Sequence, residues 1–132
     1  MDAEDTVTYW QSTGNEKWKT AEALMEKGRY ADALFFCHLA LESLLKAVVA
    51  QETKMHPPYV HDLPDLALRA NLELSEEQTK NFSEITTFNI RARYDDYKLS
   101  FYKKATEEYA DRYFKIAKEL YLWTQNKLNK EK

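Results

Sequence analysis

The sequence predicts an all-α fold: an antiparallel bundle of four long helices plus one short helix, with residues 1–132 forming a single domain. Three observations carry that reading. Two Gly and three Pro in 132 residues supply too few turn residues for a sandwich, a barrel or a Gly-rich phosphate loop. Apolar side chains recur at threes and fours over several long stretches, the spacing of one helical face. Finally, 18 aromatic residues (three Trp, nine Tyr, six Phe) set the chain apart from disordered sequences. A domain of this size removes roughly 65 to 70% of its unfolded surface from water, so it needs no disulfide or metal staple.

The first helix is expected over about Asp5–Lys27, with Val7, Trp10, Trp18, Ala21, Leu24 and Met25 on its apolar side. Gly14-Asn15 interrupts it with two poor helix formers, so a break or weak point is expected there. Gly28 supplies a natural stop, because glycine tolerates the left-handed conformation just past a helix end. The second helix, Tyr30 to about Thr53, carries Ala33, Leu34, Cys37, Leu41, Leu44, Leu45 and Val48 at helical spacing. Phe36, Ala40 and Val49 widen that stripe, which predicts a central helix with neighbours on more than one side.

A loop follows over Lys54–Asp62 and carries Pro57-Pro58. Asp62 caps a short third helix, Leu63–Ala70, with Pro64 tolerated in its first turn. Ser75 and Gln78 form a capping-box pattern at the start of a fourth helix, Glu76–Arg91, whose inward side carries Phe82, Ile85, Phe88 and Asn89. Arg93–Ala105 is less regular and is read as an ordered connection. Thr106, Glu107 and Glu108 give the cap and acidic first turn of the last helix, and the tail from Asn126 is expected to fray. No segment recurs as a second copy.

The bulk numbers exclude several classes. A formal net charge of -3 argues against broad nucleic-acid binding driven by total charge, while leaving room for a local basic patch. The one cysteine, Cys37, cannot form an internal bridge, which fits a reducing cytoplasm. No apolar run approaches the roughly 18 to 20 residues of a membrane span, and the acidic start lacks the apolar stretch of a secretory signal, so no membrane association is expected.

Arg91, Arg93 and Tyr94 are the leading candidates for a ligand site. A guanidinium binds phosphate bidentately and a tyrosine ring stacks on a base. The alternative is that both arginines simply hold the end of the fourth helix. His38 lies among apolar positions with Glu42 one turn later. It is either a general base held by that carboxylate or a satisfied core histidine, and the second arrangement is the commoner. Glu42 and Lys46 form an i,i+4 pair. Tyr94, Tyr97, Phe101 and Tyr102 interleave with Arg91, Arg93, Lys98, Lys103 and Lys104, a pattern suited either to tracking an RNA strand or to packing the connection onto the bundle. His56 and His61 stand five apart without thiols or a third convergent histidine. Neither a metal nor a cofactor is therefore expected, and His61 is read as orienting the start of the third helix.

Four stretches in order together resemble the HEPN domain, the "higher eukaryotes and prokaryotes nucleotide-binding" helical bundle. They are Gly28-Arg29-Tyr30-Ala31-Asp32-Ala33, His38 through Ala47, His61-Asp62-Leu63 with Leu66, and Asn89 through Asp95. The resemblance spans about Asp5–Leu128. It implies a bundle that often pairs as a homodimer, with the second and fourth helices near a shared groove. Many members act beside a small nucleotidyltransferase in a two-component, toxin–antitoxin-like system. Others are metal-independent RNases that use an Arg followed after four to six residues by a His. No histidine occurs after His61 here, which points to the non-RNase branch.

The expected function is therefore a non-catalytic, cytoplasmic HEPN-type partner protein. It would bind a nucleotide or a nucleotidyltransferase around Arg91, Arg93, Tyr94, His38, Glu42 and Lys46. The alternatives are an RNase with an altered site, using Arg91 with His38 or Tyr97, and a purely structural adaptor.

Overall fold

The computed structural model describes residues 2–128, the side chain of Asp95 left aside. Six helices run through them: α1 (Ala3–Glu26), α2 (Tyr30–Thr53), α3 (Leu63–Arg69), α4 (Glu76–Arg91), α5 (Asp95–Lys104) and α6 (Glu107–Leu128). The all-helical class is as the sequence predicts. Three elements differ, α1 among them. The connection expected over Arg93–Ala105 contains a ten-residue helix, α5. The fraying expected from Asn126 is absent as far as Leu128, which ends α6 and is buried; residues 129–132 lie outside the described part of the chain.

Local chemistry explains the helix ends. Asp2 caps α1 by accepting from the Asp5 backbone N–H. At its other end, Gly28 adopts φ 72°, while the N–H groups of Gly28 and Arg29 donate to the carbonyls of Met25 and Leu24. That pair of bonds satisfies carbonyls a helix end leaves open and reverses the chain into α2. Asp62 accepts from Asp65 N–H at the start of α3, and the Leu63 N–H donates to the Thr86 hydroxyl of α4. Both halves of the Ser75–Gln78 capping box are formed.

α1 does not break at Gly14-Asn15; it is one continuous helix. The reason lies in packing. A Cβ on Gly14 would stand 3.0 Å from Leu44 Cδ2 and 3.2 Å from the Ala40 carbonyl, so the missing side chain lets α1 approach α2 closely. α6 closes on the other flank, where Trp18 of α1 stacks against Phe114 and Tyr121 with ring centroids 5.0 and 4.7 Å away. Such aromatic contacts contribute about 0.5–1.5 kcal/mol each beyond area burial.

α2 is the axis of the molecule, in contact with each of the other five helices. Leu34, Leu41, Leu44 and Leu45 are fully buried, each worth about 1.5–3 kcal/mol of apolar transfer. An 18-residue window of α2 reaches a mean hydropathy of 1.7, enough by length and composition for a membrane span, a property that a search for uninterrupted apolar runs misses. Within the fold 83% of that window is buried, so core packing accounts for its apolarity.

Gly14→Val is expected to lower stability by about 1–3 kcal/mol, the usual cost of overpacking a close contact. Thermal unfolding checks this: the midpoint should fall by several degrees, although valine is the better helix former.

Candidate functional site

The predicted site residues fall into separate groups. His38, Glu42 and Lys46 occupy successive turns of α2 and form one polar row in an otherwise apolar helix. Glu42 is the hub. Its Oε2 accepts from Lys46 Nζ at 2.9 Å, and its Oε1 accepts from His61 Nδ1 at 2.9 Å, with His38 Nε2 at 3.7 Å. The Glu42 and Lys46 side chains are only 10% and 5% exposed. Lys46 Nζ also sits 4.9 Å from the centre of the Trp10 ring, so the row reaches α1.

His38 is fully buried and donates from Nε2 to the His61 carbonyl at 3.0 Å. That bond leaves Nδ1 as the unprotonated nitrogen, buried and without a partner. Burial pushes its pKa below the usual 6.5; the His61 carbonyl and the Glu42 charge oppose that shift. His38 is thus a neutral core histidine. Sequence reasoning placed His61 at the start of the third helix but missed its bond to Glu42.

At the far end of α4 a second arrangement appears. Arg91, Tyr97, Ser100, Phe101 and Lys104 line a cavity of about 270 Å3 between α4 and α5. That volume is near the lower end of small-molecule sites, about 300 Å3. Arg91 Nη1 stands 3.6 Å from Glu84 Oε2, beyond hydrogen-bond reach, and is itself buried without a hydrogen-bond partner. Glu84 Oε2 instead accepts from the Tyr109 hydroxyl at 3.3 Å, and Lys104 Nζ lies 5.5 Å from the Tyr109 ring centre. Burial, reinforced by the Glu84 charge, pushes the Tyr109 pKa up to about 12. Tyr109 therefore remains a neutral donor throughout the physiological range.

Arg93 and Tyr94 do not line this cavity. Arg93 Nη1 donates to Asn89 Oδ1 at 3.3 Å, and Tyr94, at the start of α5, is 58% exposed. The cavity therefore takes Arg91 from the leading candidates, joins it to Tyr97, Phe101 and Lys104 of the basic–aromatic cluster, and adds Ser100. Those four α5 residues stand at i, i+3, i+4 and i+7, one side of a helix. Reading the segment as a connection hid that side. Cys37 is buried, and burial pushes its thiol pKa far up, which makes it packing rather than a nucleophile. His56 is exposed, and no group of three or more His, Cys, Asp or Glu among the described residues is placed to hold a metal ion.

Comparison with known proteins identifies the family and supports the fold. The family model described as "HEPN domain" matches residues 7–128. The chain belongs to the HEPN domain family. The crystal structure of TT1696 from Thermus thermophilus superposes with a TM-score of 0.76 at 20% identity. That match covers 92% of this HEPN chain and 98% of the other, a likeness of fold. No curated protein sequence matches it. Tyr97 stands six positions beyond Arg91 and lines the cavity with it.

Two outcomes follow from the α2 row. Glu42→Ala leaves the Lys46 cation buried and unpaired, so unfolding in urea should show a loss of about 3–5 kcal/mol. Replacing the pair together, as Glu42→Met with Lys46→Leu, should cost markedly less. For His38, the folded state resists protonation while the unfolded state takes up a proton near pH 6.5. Its contribution is complete above that pH and lost on acidification toward the lower folded value, with a slope of up to about 1.4 kcal/mol per pH unit. Urea unfolding between pH 7.5 and 5 should show that slope, and His38→Gln should flatten it.

Proposed function

We propose that this chain is a non-catalytic HEPN-type protein that binds a nucleotide through its phosphate in the cavity between α4 and α5. The observation that carries the reading is the convergence there of Arg91, Ser100 and Lys104, two cations and a hydroxyl, beside the half-exposed ring of Tyr97. The Arg91 side chain keeps about a third of its surface exposed (31%), and a phosphate oxygen is the acceptor best matched to a guanidinium. Glu84 partly balances the Arg91 charge, so Lys104 supplies the surplus that favours an anion. Tyr97 offers a ring face for a base. Membership of the family supports homodimer formation and a small nucleotidyltransferase partner in a cytoplasmic two-component system.

The non-catalytic part of the reading rests on the missing proton carrier. His38 is buried with its Nε2 engaged by the His61 carbonyl, and no histidine follows His61 in the sequence. One observation favours a second reading, a degenerate RNase: Tyr97 shares the cavity with Arg91 and carries a hydroxyl able to pass a proton.

Thermal unfolding with ATP, AMP and a short RNA tests both. A ligand at about 100 times its Kd adds roughly 2.7 kcal/mol, a rise of several degrees. The expected outcome is a nucleotide-dependent rise that Arg91→Ala and Lys104→Ala each abolish, with the RNA left intact after incubation. Metal-independent cleavage lost in Arg91→Ala would establish the RNase reading. No shift with any ligand would remove direct nucleotide binding and leave a protein-interaction adaptor.

A further inference from the structure

A second cavity lies between α4 and α6. It measures about 440 Å3, and its lining includes Glu77, Lys80, Asn81 and Glu84 of α4 with Arg112 and Tyr113 of α6. That volume falls within the range of small-molecule sites. Glu84 joins it to the Arg91 cavity, because Oε2 of Glu84 in the one stands 3.6 Å from Arg91 Nη1 in the other. Glu77, Asn81, Glu84 and Arg91 follow at spacings of four, three and seven, one side of a single helix. Glu84 and Asn81 are therefore about 10 and 15 Å from Arg91 along the axis, a span that one nucleoside diphosphate covers.

The chemistry changes along that line. The Arg91 cavity presents cations and no carboxylate, whereas the second mixes carboxylates with Lys80, Arg112 and the Asn81 amide beside the Tyr113 ring. No ion pair among the described residues engages Glu77, Lys80 or Arg112, which leaves their polar atoms free for a ligand. A base carried along α4 from a phosphate at Arg91 thus meets acceptors and donors together. Guanine alone among the RNA bases presents two adjacent donors, N1–H and the N2 amino group, which one carboxylate accepts as a pair. Its O6 and N7 accept from one guanidinium. Adenine sets an acceptor beside its amino group and suits an amide rather than a carboxylate. We infer that the second cavity reads the base of the bound nucleotide and selects guanine, with Glu77 accepting from N1–H and the N2 amino group and Arg112 donating to O6 and N7. This rests on the phosphate reading at Arg91 and adds specificity to it. The ring face of Tyr97 holds any base alike, while contacts to a base edge tell bases apart.

Isothermal titration calorimetry of the whole chain with GDP, ADP, inosine diphosphate and inorganic pyrophosphate tests it. Inosine diphosphate is the guanine nucleotide without its N2 amino group. GDP should bind at least about fivefold more tightly than ADP or inosine diphosphate, the low end of what one bidentate base contact contributes. Glu77 is exposed, so Glu77→Gln should fold normally and bring GDP down to the level of inosine diphosphate with ADP unchanged. Arg91→Ala should weaken every nucleotide. Equal affinities for the three nucleotides, a preference for ADP, pyrophosphate binding as tightly as GDP, or a GDP affinity unmoved by Glu77→Gln would each overturn the base reading; if Arg91→Ala still abolishes binding, the phosphate site stands without it. Absence of binding by all four would remove the phosphate reading and the base reading together.

Discussion

Burial of the middle of α2, residues 40–50, sets the terms for each polar group carried there. A helix enclosed by five neighbours has no water to solvate a carboxylate or an ammonium, so each must find its partner inside the fold. Ser43 returns its hydroxyl to the Leu39 carbonyl one turn back. Glu42 divides its two oxygens between Lys46 and His61, and Lys46 directs its remaining attraction to Trp10. In net stability such a pair roughly balances its own desolvation. Its contribution is to register: it ties α1 and the loop before α3 to adjacent turns of one helix. The close approach at Gly14 then sets how deeply α1 seats.

Where α4, α5 and α6 meet, rings supply most of the contact. Phe88 of α4 meets Phe101 of α5 at 5.3 Å and Tyr113 of α6 at 5.6 Å, and Tyr109 stands 4.9 Å from Tyr113. Phe101 is buried, whereas Tyr94, Tyr97, Leu99 and Tyr102 remain exposed. α5 is thus fastened through one inward face while its flank toward Arg91 stays open. The cavity exists because that flank carries Ser100 and Lys104, side chains that leave space between the two helices.

Much of the fold was legible because caps and stripes are local signals. Asp62, Gly28 and the Ser75–Gln78 box each mark a boundary through one or two hydrogen bonds formed within a few residues. α5 was not legible for the complementary reason. Ten residues give fewer than three turns, and with Tyr, Leu and Phe around most of the helix no single stripe stands out. The Gly14-Asn15 signal misled because helix propensity, worth about 1 kcal/mol at Gly, is outweighed by the packing that the absent side chain permits. At the site, Arg91 was found by its chemistry and Tyr97, Phe101 and Lys104 by their clustering beside it, while Ser100 and the side it shares with those three needed α5 to exist first. The Glu42–His61 bond joins residues 19 apart through a loop, a distance at which helical spacing carries no information.

Charge is also unevenly spread. Residues 91–104 hold five basic and two acidic side chains, in a chain whose total is -3. Bulk charge therefore understates what an approaching anion meets at this end. At physiological ionic strength the Debye length is about 8 Å, so charges farther away across the bundle are largely screened. An anion near α5 responds to Arg91, Lys104 and their neighbours rather than to the acidic remainder. The same screening limits reach: a local excess of this size suits one phosphate seated in a cavity better than a long polyanion laid across the whole surface. The acidic remainder would repel the outer parts of such a chain, and only the segment over α5 would meet favourable potential.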